Sequence, residues 1–397
     1  MDLRRTAAAA VAVMAALLHA PVTSVAAPQG ASDRAEVEAT FLEEVLPALD
    51  VPIGWTGDVA SCDPGAPSAA AQSATLTTIN FVRGLAGLDP VSFDPALSAK
   101  AQKAALIMQA NDDLDHFPPS SWRCWTEEGA EAAGSSNLAL GISGAAAIVG
   151  YMQDDGEGNT AAGHRRWILR PDAATMGSGS TSGANALWIF GADAPSAASP
   201  PWVPWPVAGY FPSPLEPIGR WSLSSTSGEA SFANASVTVT GPGGASLPVQ
   251  TYPEQSGFAN NTLVWEVSGI QIPDDDAPVT YHVTVSGVTG AASPSYEYDV
   301  HLFSPPIAVE IAPALTGRTR VGRTLRVAPG EWTPDPEDLD FQWLRGGIEI
   351  SDARADSYRL TRADRGKRIS VQVTAERFGY ADETVTTPET RAIRPRS

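Results

Sequence analysis

The stretch Gly163-His164-Arg165-Arg166-Trp167-Ile168-Leu169 decides the reading of this chain. It puts one imidazole and two guanidinium groups ahead of an aromatic and aliphatic run that turns toward a strand expected at Ala186 to Phe190. Upstream, apolar residues recur at helical spacing. Thr75 to Leu85 reads as a helix carrying Leu76, Ile79, Asn80 and Arg83. Asp94-Pro95 opens a second helix, with proline at a first-turn position and Leu97, Ala101, Ala104, Ala105 and Met108 as its core stripe. A third is expected from Gly144 to Met152, with Ile148, Tyr151 and Met152 buried, before the acidic, glycine-broken stretch Asp154 to Asn159. Helices around short strands predict an α/β layered domain over residues 72–195.

Further toward the N-terminus, Arg4 and Arg5 precede an apolar run from Ala7 to Leu18 that is too short to span a bilayer. Ser24-Val25-Ala26 then fits an export cleavage site. Residues 1–26 therefore read as a signal peptide, which makes the protein secreted, with no transmembrane segment once the signal is removed. Residues 27–71 hold a helix from Ser32 to Leu49, capped by Ser32 and burying Val37, Phe41, Val45 and Leu46. A small-residue linker is expected from Asp63 to Ala71. The two cysteines, Cys62 and Cys124, favour a disulfide in an exported chain.

Downstream of Gly191 the texture changes. Prolines from Pro200 to Pro217 mark a junction without helical pattern. Ala235–Thr240, Thr262–Val267, Thr280–Val285 and Tyr296–Phe303 alternate with period two, which predicts a β-sandwich over 200–304. A second β module is expected over 307–395, from Leu325–Val327, Phe341–Leu344, Tyr358–Leu360 and Ile369–Val373, with Trp343 as core anchor and Asp364-Arg365-Gly366 as a turn. It resembles the immunoglobulin-like repeats of bacterial secreted proteins, without a cysteine pair. Trp202, Trp205, Trp221, Trp265, Trp332 and Trp343 could offer stacking platforms to glycans, although burial is the commoner role for tryptophan in strands.

The formal net charge is −19, which argues against nucleic acid and anionic lipid surfaces as partners. From Ile307 on, 15 Lys+Arg face 14 Asp+Glu, so the acidity belongs to the preceding residues and suggests separate modules.

Of five histidines, His19 lies in the signal and His282 and His301 lie in strand patterns. His116 and His164 remain, both in loops beside helices. Two imidazoles brought together could hold Zn2+ or another borderline metal, with Asp154, Asp155 or Glu157 as nearby carboxylates. The alternative is two ordinary loop histidines. No His-Glu-x-x-His stretch and no Gly-x-Ser-x-Gly elbow occurs, which weighs against a zincin and against a serine hydrolase built on Ser136, His164 and Asp154.

The order of features resembles the CAP superfamily of cysteine-rich secretory, antigen 5 and pathogenesis-related 1 proteins. Asn80-Phe81-Val82-Arg83 is similar to its first-helix Asn-x-x-Arg, and Phe93-Asp94-Pro95-Ala96-Leu97 to its next helix start. His116 stands at the first cavity histidine, and Asn137-Leu138-Ala139 at Glu-Asn-x-Ala. Tyr151-Met152-Gln153-Asp154 stands at Trp-x-x-Glu, Gly163-His164-Arg165 at Gly-His-Arg, and Met176-Gly177-Ser178-Gly179 at the glycine pair opening a strand.

The resemblance implies a three-layer α-β-α sandwich ahead of the two β-sandwich modules. It also implies a cleft of two histidines and two acids in which some members bind a divalent metal. Carried over, the histidines are His116 and His164, the second acid is Asp154, and the first acid's place is taken by Ser136. Glu128 and Glu131 precede that position as substitutes. The function implied is a binding or interaction protein whose cleft holds a divalent metal or small ligand. Its partner would be an extracellular glycan, peptide or lipid. The alternative is a metal-dependent hydrolase of peptides or esters in which Asp154 is the base.

Overall fold

The computed structural model describes residues 31–156, 158–193 and 199–396, so the expected signal peptide and Glu157 lie outside the described residues. Helix α1 (Arg34–Thr40) continues through a π-helical turn (Phe41–Val45) into α2 (Leu46–Leu49). Its cap is Asp33 rather than Ser32, because the Asp33 carboxylate accepts the Ala35 and Glu36 N–H groups. The expected apolar face is buried at Val37, Phe41, Val45 and Leu46.

Helix α3 (Ala69–Leu85) starts six residues before the expected Thr75, inside the stretch read as linker. Ser68 caps it, and Ala69-Ala70-Ala71 has the highest helix propensity of any composition. After β1 (Ser92–Phe93), α4 (Pro95–Asn111) is capped by Asp94 as its sequence indicates. Then come α5 (Glu127–Gly134), β2 (Ser136–Leu140), α6 (Gly144–Gln153), α7 (Gly163–Ile168), β3 (Thr175–Ser180) and β4 (Ala184–Trp188).

The sheet order is β1-β3-β4-β2, with β1 parallel to β3 and the other pairings antiparallel. Helices α4 and α5 cover one face through Ala101, Ala105, Met108, Ala133 and Trp188. Gly179 lets α4 lie directly on β3, since a Cβ there would sit 2.1 Å from the Gln102 amide nitrogen. Helices α3 and α6 close the other face, which completes three layers. The Cys62–Cys124 disulfide ties the segment before α3 to the loop before α5. Closing a loop of that length stabilises by about 4 kcal/mol on the chain-entropy model.

The proline-rich stretch is not a bare junction. β5 (Trp202–Trp205) is an edge strand paired with β7 (Arg220–Ser225), and β6 (Gly209–Pro212) runs parallel to the late strand Ser295–Phe303. An edge position tolerates Pro204, which has no N–H to give. Two sheets, one holding β5, β7 and Thr262–Val267, the other β6, Ser236–Thr240, Val279–Ser286 and Ser295–Phe303, face each other over Trp205, Trp221, Trp265 and Tyr281. That core is continuous with Val37, Phe41, Ile79 and Ile148 of the α/β layers.

The final module, from Ala308 onward, is all β and has its own core around Trp332, Trp343, Leu360 and Val371. All six tryptophans named above are at most 6% exposed, so none offers a stacking face to solvent. Among the described residues no helix is long and apolar enough to cross a membrane.

Candidate functional site

His116 follows α4, and its Nδ1 lies 2.8 Å from the carbonyl oxygen of Ala133 on α5. A carbonyl only accepts, so this ring nitrogen carries the proton and Nε2 keeps its lone pair in the neutral ring. His164 is the second residue of α7, and its Nδ1 lies 2.8 Å from Asp154 Oδ1. The Asp154 carboxylate likewise only accepts, so His164 Nδ1 carries a proton. Both rings are thus tied from behind, which fixes their orientation.

Asp154 is fully buried, and its second oxygen accepts the Arg165 N–H at 3.3 Å. It caps α6 in the left-handed conformation (φ 49°, ψ 42°). Aspartate tolerates that region better than most residues. Ala162, just before α7, is also left-handed with φ 48°, so two unusual backbone positions set the direction of the His164 ring.

The neighbouring motif residues hold this geometry. Asn137 on β2 donates from Nδ2 to the His164 carbonyl at 3.0 Å. Tyr151 lies against the His164 ring at 5.2 Å between centroids, and its hydroxyl donates toward Asn185 Oδ1 at 2.9 Å. Burial raises that hydroxyl's pKa well above its ordinary value, so it stays protonated. Arg83 spreads its guanidinium over the carbonyls of Asp89, Ile168, Arg170 and Ala173, which anchors the end of α7 to α3. Burial pulls its pKa down to about 10, leaving it charged at neutral pH.

His116, Ser136, Asn137 and His164 line one cavity of about 430 Å3. That lies within the range of about 300–1,000 Å3 usual for small-molecule sites. Ser136 is 4% exposed, and its Oγ has no hydrogen-bond partner. Asp154 is not on the wall; it stands behind His164. Glu128 and Glu131 pair with Lys103 and Lys100 on the outer face and do not line the cavity. A larger cavity of about 730 Å3 beside Arg170, Asp172 and Asn260 contains none of these residues.

Two contributors were not read from the sequence. Asn185 on β4 donates to Gly179 O and Ser180 Oγ and accepts from Tyr151. A loop of the first β module also reaches the cavity with Gln255, Gly257 and Phe258.

The donor set is two imidazoles without a third protein ligand. Among the described residues no group of three or more His, Cys, Asp or Glu is placed to hold a metal ion. A catalytic zinc site takes three protein ligands and a structural one takes four. The residues present therefore do not by themselves fit a resident zinc.

Residues 76–190 match the model of CAP, the cysteine-rich secretory protein family. No curated protein matches the chain. Among solved structures, the crystal structure of DIP-gamma IG1+IG2 is 13% identical, with TM-score 0.18, over 45% of this chain and 90% of that one. The titin domains z1z2 in complex with telethonin are 14% identical, with TM-score 0.15, over 45% of this chain and 88% of that one. Likenesses this low carry no argument.

Proposed function

We propose that this CAP-domain chain is a secreted binding protein whose cleft holds a small ligand between His116 and His164, and that it does not hydrolyse what it binds. One observation carries the reading. Both histidines line a single small-molecule-sized cavity, each with its Nδ1 held from behind by a protein acceptor.

The metal-dependent hydrolase alternative makes Asp154 the base toward a bound water. Asp154 has one oxygen on the His164 ring and the other on the Arg165 N–H, both buried. Export is supported by the charged and apolar pattern of residues 1–26 and by the disulfide, which persists in oxidising compartments. We read residues 27–71 as an N-terminal extension, 72–195 as the cleft domain, 200–304 as a sandwich, and 307–395 as an immunoglobulin-like appendage.

In a thermal-shift screen of small neutral and charged compounds, at least one compound is expected to raise Tm, and the shift should vanish in His164→Ala. Hydrolysis of p-nitrophenyl esters or peptides that depends on His164 would refute the non-catalytic reading. Zn2+ or another divalent cation should bind only weakly, through the two imidazoles, and calorimetric titration should show that binding lost in His164→Ala. Zinc binding unchanged in that variant contradicts the pairing.

A further inference from the structure

The cleft is closed by a second module. Residues 252–261 connect two strands of the first sandwich and reach α7 through Gln255, Phe258 and Asn260. Arg166, next to the Gly-His-Arg motif, donates to Gln255 O at 3.1 Å and to Asn260 O at 2.8 Å. Its guanidinium lies 5.1 Å from the centroid of the Phe258 ring. Gln255 donates to Thr160 Oγ1 at 2.9 Å, and Glu254 accepts from Ser231 and from the Phe232 N–H. The loop is thus held at several points, so the ring is positioned before any ligand arrives. Gly163 makes room for it: a Cβ there would fall 2.5 Å from Phe258 Cε1.

Around the mouth stand further rings. Phe117 is 84% exposed and Phe190 47% exposed. Trp167 meets Phe190 edge-on at 4.8 Å. Large apolar side chains left in solvent around one cavity mark a binding surface. The lining is also polar, with the two imidazoles, Asn159 and Gln255.

Among the described residues, none lining the cavity is Asp, Glu, Lys or Arg. Those residues offer a charged ligand no carboxylate, ammonium or guanidinium to pair with. An alkyl chain would cover the two imidazole Nε2 atoms without a hydrogen bond, at about 1–3 kcal/mol for each group. A ring with apolar faces and several hydroxyl donors satisfies both parts of the wall.

Building on the binding reading above, we propose that residues 252–261 form the specificity wall of the cleft and that its ligand is an uncharged sugar ring of a glycan. Phe258 stacks on the ring face, and the hydroxyls hydrogen-bond to His116 and His164 Nε2. The tryptophans of the β modules have no part in this, being buried.

The test uses the full mature chain and calorimetric titration with tetramers of glucose, mannose and N-acetylglucosamine. A neutral tetrapeptide and decanoate serve as comparison probes. At least one tetrasaccharide should bind, Phe258→Ala should weaken it about tenfold or more, and Phe258→Tyr should retain it, with the Tm of both variants near wild type. Sugar binding lost in His164→Ala but unchanged in Phe258→Ala overturns the loop wall alone. Binding of the tetrapeptide or decanoate instead of sugar, lost in His164→Ala, overturns the sugar assignment and leaves the cleft reading standing. Binding of no probe, or only binding indifferent to both residues, overturns both.

Discussion

The two β modules have similar sheets and opposite relations to the rest of the chain. The first is joined to the α/β layers by one continuous core and by buried arginines. Arg165 donates to Met152 O and Gln153 O at the end of α6, and to Arg220 O and Ser222 Oγ on β7. Arg220 reaches back to Asp154 O and Gly156 O. The final module has a separate core and meets the body through a few contacts, among them Gly379 against Leu46, Ala381 N–H to Pro305 O, and Arg377 to Asp50 at the surface. The difference teaches that the first module is structural tissue of the cleft, whereas the last is an attachment. The residue after the cleft histidine His164, Arg165, serves the junction rather than the cavity.

The sharpest way to break this contrast is Arg165→Ala. It removes a buried guanidinium with four acceptors, and should cost about 3–5 kcal/mol. Scanning calorimetry should then show the joint transition of the α/β layers and first sandwich falling while the transition of the last module stays put. A parallel fall of both would mean that the modules are not separable. The reciprocal change is Trp343→Ala in the last core, where the ring is fully buried. A loss of about 3–4 kcal/mol is expected in that module alone, with ligand-induced Tm shifts of the cleft unaltered.

The smallest effect concerns pH. Burial raises the Asp364 pKa, but the Thr361 N–H, Arg345 and the Thr361 hydroxyl outweigh it and hold the carboxyl below its ordinary value. A depressed carboxyl stabilises the fold fully at neutral pH. That contribution is lost as pH falls below the ordinary carboxylate value and through the lower folded one. Asp364→Asn should cost about 1–3 kcal/mol at neutral pH and flatten the acid limb of the last module's stability, read by urea titration from pH 7 downward.

Much of this fold was legible in residue spacing. α4 and α6 fall within one residue or a few of their expected ends because their apolar stripes repeat at helical period. α5 was not legible: Gly129 and Gly134 and the alanines between give no stripe, and Gly129 is there because Ile107 leaves no space for a Cβ. β3 reads Thr-Met-Gly-Ser-Gly-Ser and is covered on both faces, so alternation says nothing about it. β5 was hidden by its prolines, since an edge strand accepts what a central one refuses.

The site divides in the same way. His116, His164, Ser136 and Asn137 could be named from motif order, and the structure brings them to one cavity. The place of Asp154 behind the ring depends on a left-handed cap that no spacing specifies. Phe258 belongs to another module and to a loop without periodicity. Its only sequence trace is an aromatic residue between Gly257 and Ala259 in a polar run.

The central claim is that a loop of the first β module walls the cleft at the Gly-His-Arg turn. Proton NMR on chain labelled at glycine and phenylalanine tests this most directly, through the Gly163 α-protons. The account predicts cross-relaxation between those protons and the Phe258 ring, and a ring-current shift that disappears in Phe258→Leu. Gly163 α-protons with no contact to any aromatic ring, and with a shift indifferent to Phe258→Leu, would contradict it.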